Sequence, residues 1–128
     1  RADRLKVEGS PPAFVKDEFG NTLGGIRTPY VDTPIATLEG EGQPQTDFSE
    51  VEESCDINLD NVNFCFLSGT TSLFDANTLS DLYQSNDAYI EALNIATDEA
   101  VEKGFLLPED AALIKANAVN SNIFENTP

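Results

Sequence analysis

The 128-residue sequence contains no histidine, no methionine and no tryptophan, and only seven basic residues against 23 acidic ones. Each shortage excludes something. Without histidine there is no imidazole general base, no histidine metal ligand and no side chain that switches charge near neutral pH. A self-contained Ser-His-Asp or Cys-His site cannot be built from this chain. A formal charge of −16 argues against nucleic acid or an anionic membrane as partner, because both are held through Lys and Arg. Long apolar runs are also missing. Runs such as Phe64-Cys65-Phe66-Leu67 and Phe105-Leu106-Leu107 fall far short of the roughly 18 residues a membrane helix needs. The sequence opens at Arg1 with neither an initiator nor a signal peptide, so the expectation is a processed product of a longer precursor. No cofactor and no membrane insertion are expected.

What is present suits one domain. The chain is 40% hydrophobic and includes eight Phe and three Tyr, enough to form a core at this length. The basic residues are Arg1, Arg4, Lys6, Lys16, Arg27, Lys103 and Lys115. Residues 28–102 hold sixteen carboxylates and no basic side chain, and the remainder is neutral. The whole net charge therefore comes from the centre, most densely from Glu39 to Asp60. Such a block reads as a solvated acidic loop over residues 39–60.

Residues 1–38 read as short extended pieces broken by turns. Pro11, Pro12, Pro29 and Pro34 push their predecessors toward extended backbone. Gly20-Asn21 and Gly24-Gly25 supply turn conformations. Ala13-Phe14-Val15 and Ile35-Ala36-Thr37-Leu38 are the strand candidates. Residues 61–128 read as a buried extended piece followed by about three helices. Asp75 caps a first helix near Ala76–Gln84, with Leu79, Leu82 and Tyr83 on one face. Ser85 or Asn86 starts a longer helix that ends at Lys103-Gly104, with Tyr89, Ile90, Leu93, Thr97, Ala100 and Val101 at helical spacing. Pro108 opens the third, carried by Ala111, Leu113, Ile114 and Ala118. Beyond Asn120 the polar tail is expected to fray.

The candidates for chemistry are few. Cys55 and Cys65 are a disulfide candidate, with two buried thiols as the alternative. They are not a zinc site, because no further Cys or His can complete four ligands. Asp56-Ile57-Asn58-Leu59-Asp60-Asn61 has the opening spacing of a calcium loop, but Asn61 stands where Gly belongs and Leu67 where a bidentate Glu belongs. No metal site is expected. Ser68-Gly69-Thr70-Thr71-Ser72 reads as a hydroxyl-rich turn leading into the first helix. It has neither the G-x-S-x-G pattern nor the lysine of a phosphate loop. The pairs Asp17-Glu18 and Glu52-Glu53 read as surface. The stretch from Gly20 to Pro34 differs from all of these, with three glycines, two prolines and one isolated arginine. Arg27 either pins this loop by bonding carbonyls and Asp32 or faces a ligand.

The same stretch carries a resemblance. Arg1-Ala2-Asp3-Arg4-Leu5, Ala13-Phe14-Val15-Lys16-Asp17-Glu18-Phe19-Gly20-Asn21 and Gly24-Gly25-Ile26-Arg27-Thr28-Pro29, then Val31-Asp32-Thr33-Pro34, resemble the C-terminal part of alpha/beta-hydrolase-domain-containing proteins. The resemblance continues through Cys65-Phe66-Leu67-Ser68-Gly69-Thr70-Thr71, Phe74-Asp75, Leu79, Leu82-Tyr83, Tyr89, Thr97-Asp98 and Gly104-Phe105-Leu106-Leu107. It spans nearly the whole chain apart from the acidic insert. It implies an α/β fold in which residues 1–38 pack on a hydrolase core supplied upstream. In that fold a Ser on a nucleophile elbow, an acid and a His form the site. Neither elbow nor His is present here, so no catalytic residue carries over. Arg27, Thr28, Tyr30 and Asp32 are the candidates for reaching a substrate mouth.

The expected function is that of a non-catalytic small chain of a processed hydrolase. Its larger partner chain would cleave a carboxylic ester or related acyl substrate. The alternative is a fragment of a catalytically silent hydrolase-fold protein that binds, stores or builds. The cysteine pair, the acidity and the processing point toward an extracellular or secretory setting. A higher oligomer is left open.

Overall fold

The computed structural model describes residues 2–40 and 69–125. The Cys55–Cys65 pair, the acidic stretch 41–60, the calcium-loop-like segment and the apolar piece at 64–67 lie outside the described residues. Among the described residues, four short strands and four helices follow in chain order: β1 (Val7–Glu8), β2 (Ala13–Phe14), α1 (Pro29–Asp32), β3 (Ala36–Glu39), β4 (Thr70–Leu73), α2 (Ala76–Tyr83), α3 (Asn86–Glu102) and α4 (Pro108–Asn120). The strands form two antiparallel ribbons, β1 with β2 and β3 with β4.

The helices begin and end where local chemistry dictates. Asp75 is the N-cap of α2 and its carboxylate accepts the Thr78 N–H at 2.8 Å. Ser85 does the same for α3 through the Ala88 N–H. Each side chain satisfies an amide that the first turn leaves without a partner. Lys103 closes α3, and Gly104 takes the left-handed φ of +73° that follows a helix end. Pro108 sits at the start of α4, where its missing N–H costs nothing. Short α1 has the same start, with Pro29 first. Sequence pattern does not single it out, because four residues carry no periodicity.

α3 is the centre of the packing: α1, α2 and α4 all lie against it. Leu79, Tyr83, Tyr89, Leu93, Ala118 and Ile123 form the buried cluster, with Ile35, Phe74, Leu82 and Ile90 against it. Tyr83 and Tyr89 meet edge to face with centroids 5.2 Å apart, a favoured aromatic geometry. The β3–β4 ribbon is docked through Ile35 and Phe74, and Phe19 lies 5.6 Å from Phe74 ring to ring. The Tyr83 hydroxyl donates to the Pro34 carbonyl at 2.9 Å, which ties α2 to the start of that ribbon.

Four expectations change. Thr70 to Leu73 is a strand, not a turn. Its register is Ala36 with Leu73 and Glu39 with Thr70, and β-branched threonines suit that pleat. Glu39 therefore belongs to β3 rather than to the acidic loop. Leu113 is 63% exposed, while Ala111 and Ala118 make the buried face of α4. Residues 121–125 are held rather than left to fray. Asn86 accepts the Ile123 N–H and donates to the Ser121 carbonyl, both at 3.1 Å, and Ile123 is buried.

Burial pushes the Tyr83 phenol up to about 12, with Tyr89 adding to the effect. The neutral phenol is the folded form, so its contribution is complete below about pH 10, the ordinary tyrosine value, and disappears as pH rises through about 12. Tyr83→Phe should cost about 1–2 kcal/mol at neutral pH in urea unfolding, because the buried Pro34 carbonyl loses its donor. The variant should also lose less stability than the parent between pH 10 and pH 12.

Candidate functional site

Asp17, Glu18, Phe19 and Gly20 form a turn closed by the Gly20 N–H on the Asp17 carbonyl at 3.0 Å. Asp at the first position and Gly at the fourth suit such a turn. Gly20 takes φ +81°, and a Cβ there would lie 2.8 Å from a Thr37 methyl. The Asp17 Oδ1 accepts the N–H groups of Phe19 and Asn21 at 3.0 and 2.8 Å. Its second oxygen is thereby aimed at Arg27.

Arg27 is the hub of this half of the molecule. Its Nη2 donates to Asp17 Oδ2 at 2.8 Å and to the Val31 carbonyl at 2.9 Å. Its Nε donates to Asp32 Oδ1 at 2.8 Å and its Nη1 to the Thr22 carbonyl at 2.7 Å. One guanidinium thus holds the Asp17 turn, the strand-like backbone at Thr22 and the C-terminal end of α1. Four of its five N–H groups are used inside the chain. Arg27 thus bonds carbonyls and Asp32 as the pin reading expects. Asp32 is the partner that sequence proximity names. Asp17 is a second partner, which the sequence alone places at the surface, and its side chain is only 16% exposed.

Asn21, 1% exposed, completes the frame. Its side chain accepts the Leu38 N–H at 2.7 Å and donates to the Ala36 carbonyl at 3.2 Å. It stands beside β3 as a neighbouring strand would. The Thr37 hydroxyl adds a bond to the Phe19 carbonyl at 2.6 Å.

The four substrate-mouth candidates are not brought into one site. Arg27 and Asp32 line a groove of about 510 Å³ between the N-terminal segment and the C-terminal half of α3. Gly24, Gly25 and Lys6 lie on one side, and Ala96, Ala100 and Lys103 on the other. Thr28 borders a separate hollow of about 190 Å³ with Leu5, Ile26 and Leu38. Tyr30 is 43% exposed on α1. Among the described residues that line the large groove none carries a hydroxyl or thiol, so none of these can act as that kind of nucleophile in acyl transfer. Among the described residues no cluster of carboxylates is placed to hold a metal, and no helix is long and apolar enough to cross a membrane.

The comparisons with known proteins agree with the motif pattern. The chain matches the model of the alpha/beta hydrolase domain over residues 1–116 and belongs to that family. No curated protein and no solved structure matches it. The two ribbons and four helices are compatible with an α/β class.

Partial burial raises the Asp17 carboxyl pKa, but the Arg27 hydrogen bond, the Asn21 and Phe19 amides and the Arg27 charge outweigh it. The group titrates below the ordinary value of 3.8. Its contribution is therefore present above about pH 4 and is lost as pH falls through the lower folded value. Asp17→Asn should destabilise by about 2 kcal/mol at pH 7. The gap to the parent should narrow in a urea series as pH falls below about 4. Asp32→Asn should cost less than about 1 kcal/mol, because that carboxylate is half in water.

Proposed function

We propose that the chain is the non-catalytic, C-terminal part of an alpha/beta-hydrolase-like protein. A larger chain of the same precursor, on this reading, hydrolyses a carboxylic ester or related acyl substrate by a Ser-His-acid mechanism. The observation that carries the proposal is a pairing of two facts. The chain belongs to the alpha/beta hydrolase domain family, and its sequence contains neither a histidine nor a G-x-S-x-G elbow. The reaction class needs a base to activate the serine and donors to hold the oxyanion. Both belong to the partner chain on this reading.

The role left to these residues is mechanical. Arg27 and Asp32 shape the wall of a groove, Asn21 borders β3, and the helices supply a packed scaffold. A rigid scaffold matters to acyl transfer because small displacements of reacting groups cost rate steeply. The secretory setting and the disulfide between Cys55 and Cys65 belong to the same proposal, as does a partner without nucleic acid.

Native mass spectrometry of the purified protein, with a parallel sample treated with a fluorophosphonate probe, tests this reading. The expected outcome is a larger chain that travels with this one and carries the adduct. A partner without adduct moves the assignment to a silent hydrolase fold with a binding or storage role. A free 13.9 kDa species contradicts the proposal.

A further inference from the structure

Basic side chains are scarce in this sequence, seven in 128 residues of net charge −16. Three of them, Lys6, Arg27 and Lys103, line the one groove beside α3. Its volume of about 510 Å³ falls within the range of small-molecule sites, roughly 300–1,000 Å³.

Backbone bonds set the two lysines on opposite walls. The Lys6 N–H donates to the Leu23 carbonyl at 3.2 Å, and the Gly25 N–H to the Asp3 carbonyl at 3.0 Å. Residues 3–6 are thereby held along the Gly24-Gly25 turn. On the other wall the Phe105 N–H donates back to the Ala100 carbonyl at 2.9 Å. Phe105 is folded over the end of α3 and, with Ala96 and Ala100, gives the groove an apolar flank. Those two alanines stand one turn apart on one helix face, and their methyl groups leave the space open. The carbonyls of Glu99, Ala100 and Val101 at this helix end accept N–H groups from residues 103–106, so they are used within the chain.

Charge pairing separates the three cations. Arg27 is committed to Asp17 and Asp32. Lys103 has an exposed pair with Glu99, each side chain more than half in water, and such a pair contributes little. Among the described residues Lys6 has no ion-pair partner. Two ammonium groups with N–H donors to give therefore line one cleft. The carboxylates on the same lining, Asp3 and Asp32, limit what they can hold. They repel a dianion such as phosphate, whereas a single negative charge is matched by the two lysines. A metal cation is not suited, because Asp32 is taken by Arg27 and no carboxylate cluster able to hold one occurs among the described residues.

We propose that this groove binds a small organic acid as its monoanion, with the carboxylate between Lys6 and Lys103 and the apolar body along Ala96, Ala100 and Phe105. Charge-assisted N–H···O bonds hold the head group, and removal of the body from water adds to them. The inference goes beyond the function proposed above and does not need its catalytic partner chain.

The test is photoaffinity labelling of the native protein with a short aliphatic carboxylic acid that carries a diazirine, used below saturation. Labelled peptides are identified by mass spectrometry. The expected result is label on residues 2–6 and 96–105, displaced by hexanoate but not by hexanol or inorganic phosphate. Lys6→Gln and Lys103→Gln should each cut this labelling about tenfold, with circular dichroism showing the helices intact. Glu99→Gln frees Lys103 and should raise labelling about two- to fivefold. Lys115→Gln should leave it unchanged, since that ammonium pairs with Asp98 away from the groove. Label confined to other peptides, displacement by hexanol as effective as by hexanoate, or full labelling of both lysine variants overturns the proposal.

Discussion

Arg27 holds together stretches of chain that have no aliphatic core of their own to join them. Its guanidinium reaches the Asp17 turn, the Thr22 carbonyl, the Val31 carbonyl and Asp32. A planar donor fork can do this because its N–H groups point in fixed, different directions. Lysine would offer the charge without the geometry. Asn21 then borders β3 by bonding Ala36 and Leu38. The N-terminal half is consequently organised by directional polar bonds, whereas α2, α3 and α4 are organised by burial of Leu79, Tyr83, Tyr89 and Leu93. These two regimes differ in strength. A hydrogen bond contributes about 1 kcal/mol net, and a fully buried aliphatic or aromatic side chain about 1.5–3 kcal/mol.

That division explains why Leu5, Phe14, Ile26 and Leu38 stand exposed, while Ile35 packs against the core. A polar clamp fixes where Leu5, Phe14, Ile26 and Leu38 stand without covering them. The covering surface, under the proposed function, belongs to the rest of an alpha/beta hydrolase. The missing histidine and elbow fit the same division of labour, with chemistry in one polypeptide and scaffold in the other. The large groove beside α3 is lined, among the described residues, by charged and small side chains and Phe105, with no hydroxyl or thiol.

The helices are legible in the sequence because their ends are local events. Asp75, Ser85, Pro108 and Gly104 each act within four residues of their partners. The Arg27–Asp32 bond is legible for the same reason, its partners being five residues apart. What cannot be read depends on distant chain. Asp17 looks like surface because its partner lies ten residues away and its neighbour Glu18 is exposed. The turn signal Asp17-Glu18-Phe19-Gly20 is present but says nothing of where the second carboxylate oxygen points. Thr70–Leu73 is a strand only because β3, more than thirty positions earlier, offers an edge. Ile123 is buried through a side chain 37 residues upstream. α4 carries apolar residues on both sides, so periodicity alone cannot decide that Leu113 faces out and Ala118 faces in. The family match supplies what local physics cannot, namely that the chain belongs to the alpha/beta hydrolase domain family.

The central claim is that the N-terminal half depends on a covering surface outside this chain. Hydrogen–deuterium exchange, on the 128-residue chain alone and on the native protein, tests it most directly. The amides of Asn21 and Leu38 should exchange much faster in the isolated chain than in the native protein, while that of Leu93 in α3 should change little. Equal protection of Asn21 and Leu38 in both samples would show that the N-terminal half needs no covering surface, and would contradict the claim.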